Sequence, residues 1–270
     1  MNMRKAQIGG RACYIYEYGE PEAILIQPVD DHDIAVLDSE AEHISGLAGG
    51  KGFILTAFKI DDWNRELSPW PAAAVFGDED FGDGAAETLN YITETLLPEL
   101  RQRLEMPETS ETQNDPEPHQ NQETQNAPEA HQNQETQYDP ETQHKPGIHE
   151  MPVFIGGYSL AGLFSLWAAY QTERFSGVAA ASPSVWFPGW IEYAGSNAIL
   201  ADKVYLSLGD KEERTRNPVM RMVGDNIRKQ LEILSGDSGC SQSILEMNPG
   251  NHFKEPDLRT AKAFAWLLTH

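Results

Sequence analysis

The sequence is poor in three things, and each absence removes a class of function. Its 270 residues include two cysteines, Cys13 and Cys240. Two isolated thiols make neither a disulfide framework nor a structural zinc site, and they suit a reducing compartment. Bases are scarce: 20 Lys and Arg stand against 42 Asp and Glu, a formal net charge of −22. Phosphate and anionic lipid are both bound by clustered Lys and Arg, so neither nucleic acid nor a membrane surface is an expected partner. No apolar run approaches the ~20 residues that span a bilayer, and residues 1–10 carry charge with no apolar stretch behind it. Neither a membrane span nor a secretory leader is therefore expected, and the location indicated is cytoplasmic. Hydrophobic residues make up 40% and aromatics 9%, enough to bury a substantial core.

One segment lacks even that. Between Leu104 and Ile148 there is no Leu, Ile, Val, Phe or Trp. Glu111-Thr112-Gln113-Asn114-Asp115-Pro116 returns twelve residues later as Glu123 to Pro128, and again as Glu135 to Pro140. Residues 105–145 hold ten acids and one base, Lys145. A solenoid repeat stacks apolar residues on its neighbours, and this one has almost none. Without apolar burial nothing offsets the entropy of ordering. Residues 105–147 are thus expected to be a disordered acidic insertion, rich in Pro, Glu and Gln, within one domain spanning 1–270. Its three histidines, His119, His131 and His144, follow from the repeat and do not make a metal site.

The flanks read as one pattern. Short apolar runs at 23–26, 53–58, 152–156, 177–181, 203–208 and 243–247 have strand length. Helical periodicity covers 89–100 (with Pro98 as a break or kink), about 160–171, 217–234 and 258–268. Most strand runs are apolar on both faces and alternate with helices. That is an α/β fold: a mostly parallel central sheet flanked by helices on both sides.

The sharpest local signal is Gly156-Gly157-Tyr158-Ser159-Leu160-Ala161-Gly162, between a strand and a helix. A serine there sits on a tight turn that pushes Oγ out of the end of the sheet, and small residues at 157 and 161 avoid a clash across it. The amide of Leu160 opens the helix, where it can donate to a developing oxyanion. A nucleophilic serine needs a base and an orienting acid, both at the carboxyl ends of later strands. The run at 203–208 ends in Asp210, Glu212 and Glu213, and the run at 243–247 ends in Asn251-His252. His252 is the expected base. His32 and His43 come before the serine, His149 lies at the other end of its strand, and His270 is terminal. Asp30-Asp31-His32-Asp33 reads as a loop after the strand at 23–28; it lacks calcium-loop spacing and matters for its backbone amides. Residues 61–70 read as a surface loop and pocket wall, with Arg65 placed to hold a polar or anionic ester group.

At this point the chain resembles the α/β-hydrolase family that includes esterase D-type enzymes and enterochelin-type siderophore esterases. The resemblance rests on 157–162, on Ser182-Pro183-Ser184-Val185-Trp186, on Arg65-Glu66-Leu67-Ser68-Pro69 with compressed spacing, and on Gly250-Asn251-His252. It covers nearly all of the chain outside the repeat. It implies an α/β-hydrolase fold and a serine esterase without cofactor or metal, acting on a small-molecule ester. It favours Glu212 as the acid, places Arg65 and Trp186 at the substrate, and puts the second oxyanion amide near Asp31. The family commonly has Asp-Gly or His-Gly there; this chain has Asp30-Asp31. A catalytically inert binding protein tethered by its repeat, or an acyltransferase, would share the scaffold. Acyl group, alcohol and oligomeric state are not encoded in any pattern of the sequence.

Overall fold

A computed structural model of the chain describes residues 1–75, 77–105 and 147–270. The expected disordered insertion therefore lies almost wholly outside the described residues.

The chain opens with a hairpin, β1 (Asn2–Ile8) and β2 (Arg11–Tyr18), turned through Gly9 and Gly10. Both glycines have positive φ, 54° and 84°, as a tight hairpin turn requires. Then come β3 (Pro21–Val29), α1 (Asp31–Leu47), β4 (Gly52–Lys59), the single-turn α2 (Trp63–Glu66) and α3 (Ala85–Tyr91). A π-helical turn (Ile92–Leu96) leads into α4 (Leu97–Glu105). Beyond the insertion follow β5 (Val153–Tyr158), α5 (Leu160–Gln171), β6 (Gly177–Ala181), α6 (Trp190–Ser196), β7 (Lys203–Gly209), α7 (Val223–Gly236), β8 (Gln242–Asn248) and α8 (Pro256–Thr269).

The eight strands make one sheet in the order β1-β2-β4-β3-β5-β6-β7-β8. The β1–β2 and β2–β4 pairs are antiparallel, and every pair from β4 to β8 is parallel. Alternate strand residues feed two cores. Ile24, Ile26, Ile54 and Ile155 face the larger core with Leu163, Phe164 and Trp190, while Leu25, Leu55 and Phe154 face the smaller one with Leu37, Ile44 and Phe264. Helix α5 is buried from Leu160 to Tyr170, which explains why it is apolar on all sides. No helix among the described residues is long and apolar enough to cross a membrane.

Four local expectations are corrected. Residues 30–33 are not an extended loop but the start of α1. Asp30 is its N-cap and accepts from the amides of His32 and Asp33, and the Asp33 carboxylate returns a bond to the Asp30 amide. This reciprocal capping satisfies amides that a helix start leaves orphaned. Within the expected loop at 61–70, Asp62 caps α2, and buried Glu66 accepts from the amides of Asp61 and Asp62. The expected 217–234 helix begins only at Val223, after a 3-10 turn at Met220–Met222. The break anticipated at Pro98 is a π-helical turn just before it. Proline lacks the N–H that would bond back along the helix, so the ladder is rearranged on its N-terminal side.

Candidate active site

The strand-to-helix turn between β5 and α5 holds Ser159 at φ 55° and ψ −118°, in the left-handed half of backbone space that a non-glycine residue rarely enters. Its surroundings fix that conformation. The Ser159 amide donates to Ala181 O at 3.1 Å, and its carbonyl accepts from Leu163 N (3.1 Å) and Ser184 N (3.0 Å). Small residues are obligatory beside it: a Cβ on Gly157 would stand 2.6 Å from the Cβ of Ala161, and one on Gly162 would stand 3.0 Å from Gly157 O. Leu160 is the first residue of α5, so its amide is one that the helix itself leaves without a carbonyl partner.

The ends of β7 and β8 supply the other two groups. Asp210 N donates to Asn248 O (2.8 Å), Lys211 N to Gly250 O (3.1 Å), and the Gly250 amide to Asp210 Oδ1 (2.8 Å). These bonds lay the two loops side by side. His252 Nε2 then stands 3.1 Å from Ser159 Oγ, and His252 Nδ1 stands 2.7 Å from Glu212 Oε2. Of the three acids considered after β7, Glu212 meets the histidine. Asp210 is engaged with Gly250, and Glu213 pairs with Arg228 at 3.2 Å.

Glu212 is buried yet well satisfied. Its Oε1 accepts from Gly209 N (2.7 Å), Ser182 Oγ (2.9 Å) and Arg259 Nη1 (2.9 Å). Burial pushes its pKa up, but the hydrogen bond and charge of His252, with the Gly209 and Ser182 donors, outweigh that and hold it below the ordinary carboxylate value. Tyr158 donates to the His252 carbonyl at 2.7 Å, and its hydroxyl is pushed up to about 12 by burial and then by the Glu212 charge, so it stays a donor. Ser184 Oγ lies 3.2 Å from Ser159 Oγ.

A cavity of about 270 Å³ opens beside His252 and Glu212. Trp186, Met220, Val223 and Phe253 give it apolar walls, and Lys211 and Arg214 stand on its rim. Phe253 is 86% exposed and meets the His252 ring edge-on at 5.6 Å. Trp186 lines this cavity, whereas Arg65 is not on its wall: the Arg65 guanidinium pairs with Glu87 at 3.1 Å. Asp31 begins α1 at the carboxyl end of β3, with its carboxylate 2.8 Å from Lys59 Nζ. Among the described residues no three His, Cys, Asp or Glu side chains are grouped to hold a metal ion.

No family profile matches the chain, and no curated protein matches its sequence. Solved structures do. An IroE-like serine hydrolase from Shewanella oneidensis superposes with a TM-score of 0.68 at 13% identity, covering 99% of this chain and 80% of that one. The siderophore hydrolase EstA from Aspergillus nidulans gives 0.65 at 16% identity over 99% and 94%. The enterobactin hydrolase IroE in complex with DFP gives 0.59 at 12% identity over 100% and 95%. The fold is the α/β-hydrolase fold. Ser159 lies on the strand-to-helix turn, and Glu212 and His252 follow it in chain order.

Two contributors escaped sequence reasoning. Arg259, on the final helix, was not singled out, yet it is 2% exposed and bonded to Glu212. Ser182 looked like part of a short motif, yet its hydroxyl meets the acid and its φ is 42°. For Arg259 the available signal is its place seven residues after His252, in the first turn of the closing helix.

Proposed function

We propose that the protein is a serine esterase that hydrolyses a small-molecule carboxylic ester through an acyl-enzyme. The observation that carries this is the unbroken hydrogen-bonded chain from Ser159 Oγ through His252 to Glu212. Ser159 Oγ attacks the ester carbonyl while His252 Nε2 takes its proton. Glu212 keeps the Nδ1 proton facing itself, which leaves Nε2 free as base, and it stabilises the imidazolium that forms. The Leu160 amide, with a second amide near Asp31, stabilises the oxyanion. His252 next protonates the leaving alcohol, and it then activates the water that frees the acyl group. No cofactor enters these steps.

The cavity beside His252 offers apolar and aromatic walls to one arm of the ester, with Trp186 as the substrate-binding residue. Siderophore esters are candidate substrates because several structural neighbours are siderophore or enterobactin hydrolases; a simple short-chain ester fits the same chemistry. The unpaired thiols of Cys13 and Cys240 favour the cytoplasm as its place of action.

The test uses p-nitrophenyl acetate and a fluorophosphonate probe on the whole protein. Ser159→Ala should lose at least about a thousandfold in kcat, and the probe should label the parent at Ser159. A parent that neither hydrolyses any ester in an acyl-chain and catecholate-ester screen nor takes the label would instead be an inert binding scaffold. Acyl transfer would appear as product formed on an added alcohol.

A further inference from the structure

The triad's three residues hang from three separate loops, and one buried side chain touches all three segments. Arg259 lies in the first turn of α8, and its guanidinium points back beneath the site. Its Nη1 is within hydrogen-bonding distance of Glu212 Oε1 (2.9 Å), Tyr158 OH (3.1 Å) and Ser182 Oγ (3.2 Å). Its Nη2 donates to Asn251 O (3.0 Å) and Pro249 O (3.3 Å). Tyr158 precedes the serine, Asn251 precedes the histidine, and Glu212 is the acid.

We infer that Arg259 is a positioning residue for the esterase chemistry: its planar fork fixes the acid, the histidine loop and the serine's strand in one mutual geometry. The inference rests on the function proposed above.

Three physical points support it. A guanidinium stays charged, and burying one without partners is prohibitively costly, so all its bonds are retained once the fold forms. Its donors diverge at fixed angles, so satisfying Glu212 with one nitrogen sets where the Asn251 carbonyl must lie for the other. The His252 loop has a positive φ at Gly250 (112°) and an exposed Phe253; beside the Tyr158 hydroxyl, the Asp210 and Lys211 contacts to Gly250 and the Glu212 carboxylate, Arg259 takes both the Pro249 and the Asn251 carbonyls just ahead of the histidine.

The experiment compares the parent with Arg259→Met and Arg259→Lys. Arg259→Met should lose on the order of 100-fold in kcat, with KM little changed, because the base is misplaced by a fraction of an ångström. Its acid-side loss of kcat/KM should move to higher pH, because Glu212 loses a neighbouring cation. Arg259→Lys keeps the charge but not the fork: its acid limb should stay near the parent's while kcat still falls. A residue that merely braced the fold would lower Tm without this split, so parent-like kcat and pH limb in either folded variant would overturn the inference. If Arg259→Met does not fold, the kcat of Arg259→Lys decides. A readout independent of turnover separates this from failure of the esterase proposal. The low-field proton resonance of His252 Nδ1–H bonded to Glu212 should be present in the parent and lost or displaced in Arg259→Met. If no ester is hydrolysed but that change occurs, the clamp stands and the esterase proposal falls. A resonance unchanged in Arg259→Met overturns the clamp.

Discussion

At the scale of single residues, the site runs on a carboxylate kept ionised inside the protein. Glu212 is surrounded by donors on Oε1 and by the imidazole on Oε2, so in the proposed mechanism its task is orientation and charge rather than proton transfer. Glu212→Gln preserves shape but offers Nδ1 an amide that can present the wrong hydrogen-bonding partner. We expect kcat to fall on the order of 10⁴-fold, as it does for the same change in other triads, with KM nearly constant. Steady-state kinetics on a chromogenic ester checks this. The lowered pKa of Glu212 also has a sign for stability. The folded state holds its proton less tightly than the unfolded chain, so the contribution is complete above the ordinary value of 4.5 and disappears as pH falls through the lower folded value. Urea midpoints measured down through the acidic range should fall more steeply for the parent than for Glu212→Gln.

Single elements show what the sequence made legible and why the rest was hidden. Strands β3 to β7 are buried on both faces, so their apolar runs stand out from the polar segments between them, whereas β8, at the sheet edge, is only half-buried. The turn at Ser159 was readable because steric limits at 157 and 162 allow only glycine. The β1–β2 hairpin was missed because β1 is an edge strand with mixed polarity, Asn2-Met3-Arg4-Lys5-Ala6-Gln7-Ile8, though Gly9-Gly10 was a usable hairpin signal. Helix α1 was missed altogether, because its four opening polar residues look like a loop unless the reciprocal cap between Asp30 and Asp33 is recognised. Triad and clamp differ for the same reason: strand-end residues are fixed by chain order, whereas Arg259 depends on where α8 lands.

Helix α1 also carries an acid the chemistry does not use. Glu40 is 3% exposed and has one weak partner, Gln27 Nε2 at 3.4 Å, with its Oε1 unpartnered among the described residues. Burial, and then the charge of Asp33, push its pKa well above the ordinary value. The folded state therefore binds this proton more tightly than the unfolded chain, and stability falls as pH rises above 4.5 toward the raised folded value. Glu40→Gln should be the more stable protein at about pH 8, by about 1–3 kcal/mol, with the gap closing as pH falls. Thermal melts of the two proteins across that range decide it.

On the scale of the whole molecule, the proposed catalytic groups gather at the carboxyl ends of β5, β7 and β8, while the flanks of the insertion, the end of α4 and the segment ahead of β5, lie at the opposite end of the sheet. Its two flanks meet: His149 Nε2 stands 2.7 Å from Glu105 Oε1. Deleting residues 107–146 and joining the flanks by a short linker should leave kcat/KM nearly unchanged, and a large loss in a still-folded deletion would place the segment at the site. That meeting of the flanks acts as a closed doorway. The sheet sees the same threshold whatever the number of residues between the flanks, because a closure cost that grows with the logarithm of length changes by only about 0.6 kcal/mol per doubling. Repeat expansion and contraction are thus nearly invisible to the catalytic body, and variants with different numbers of the twelve-residue unit should share one melting temperature and one turnover rate.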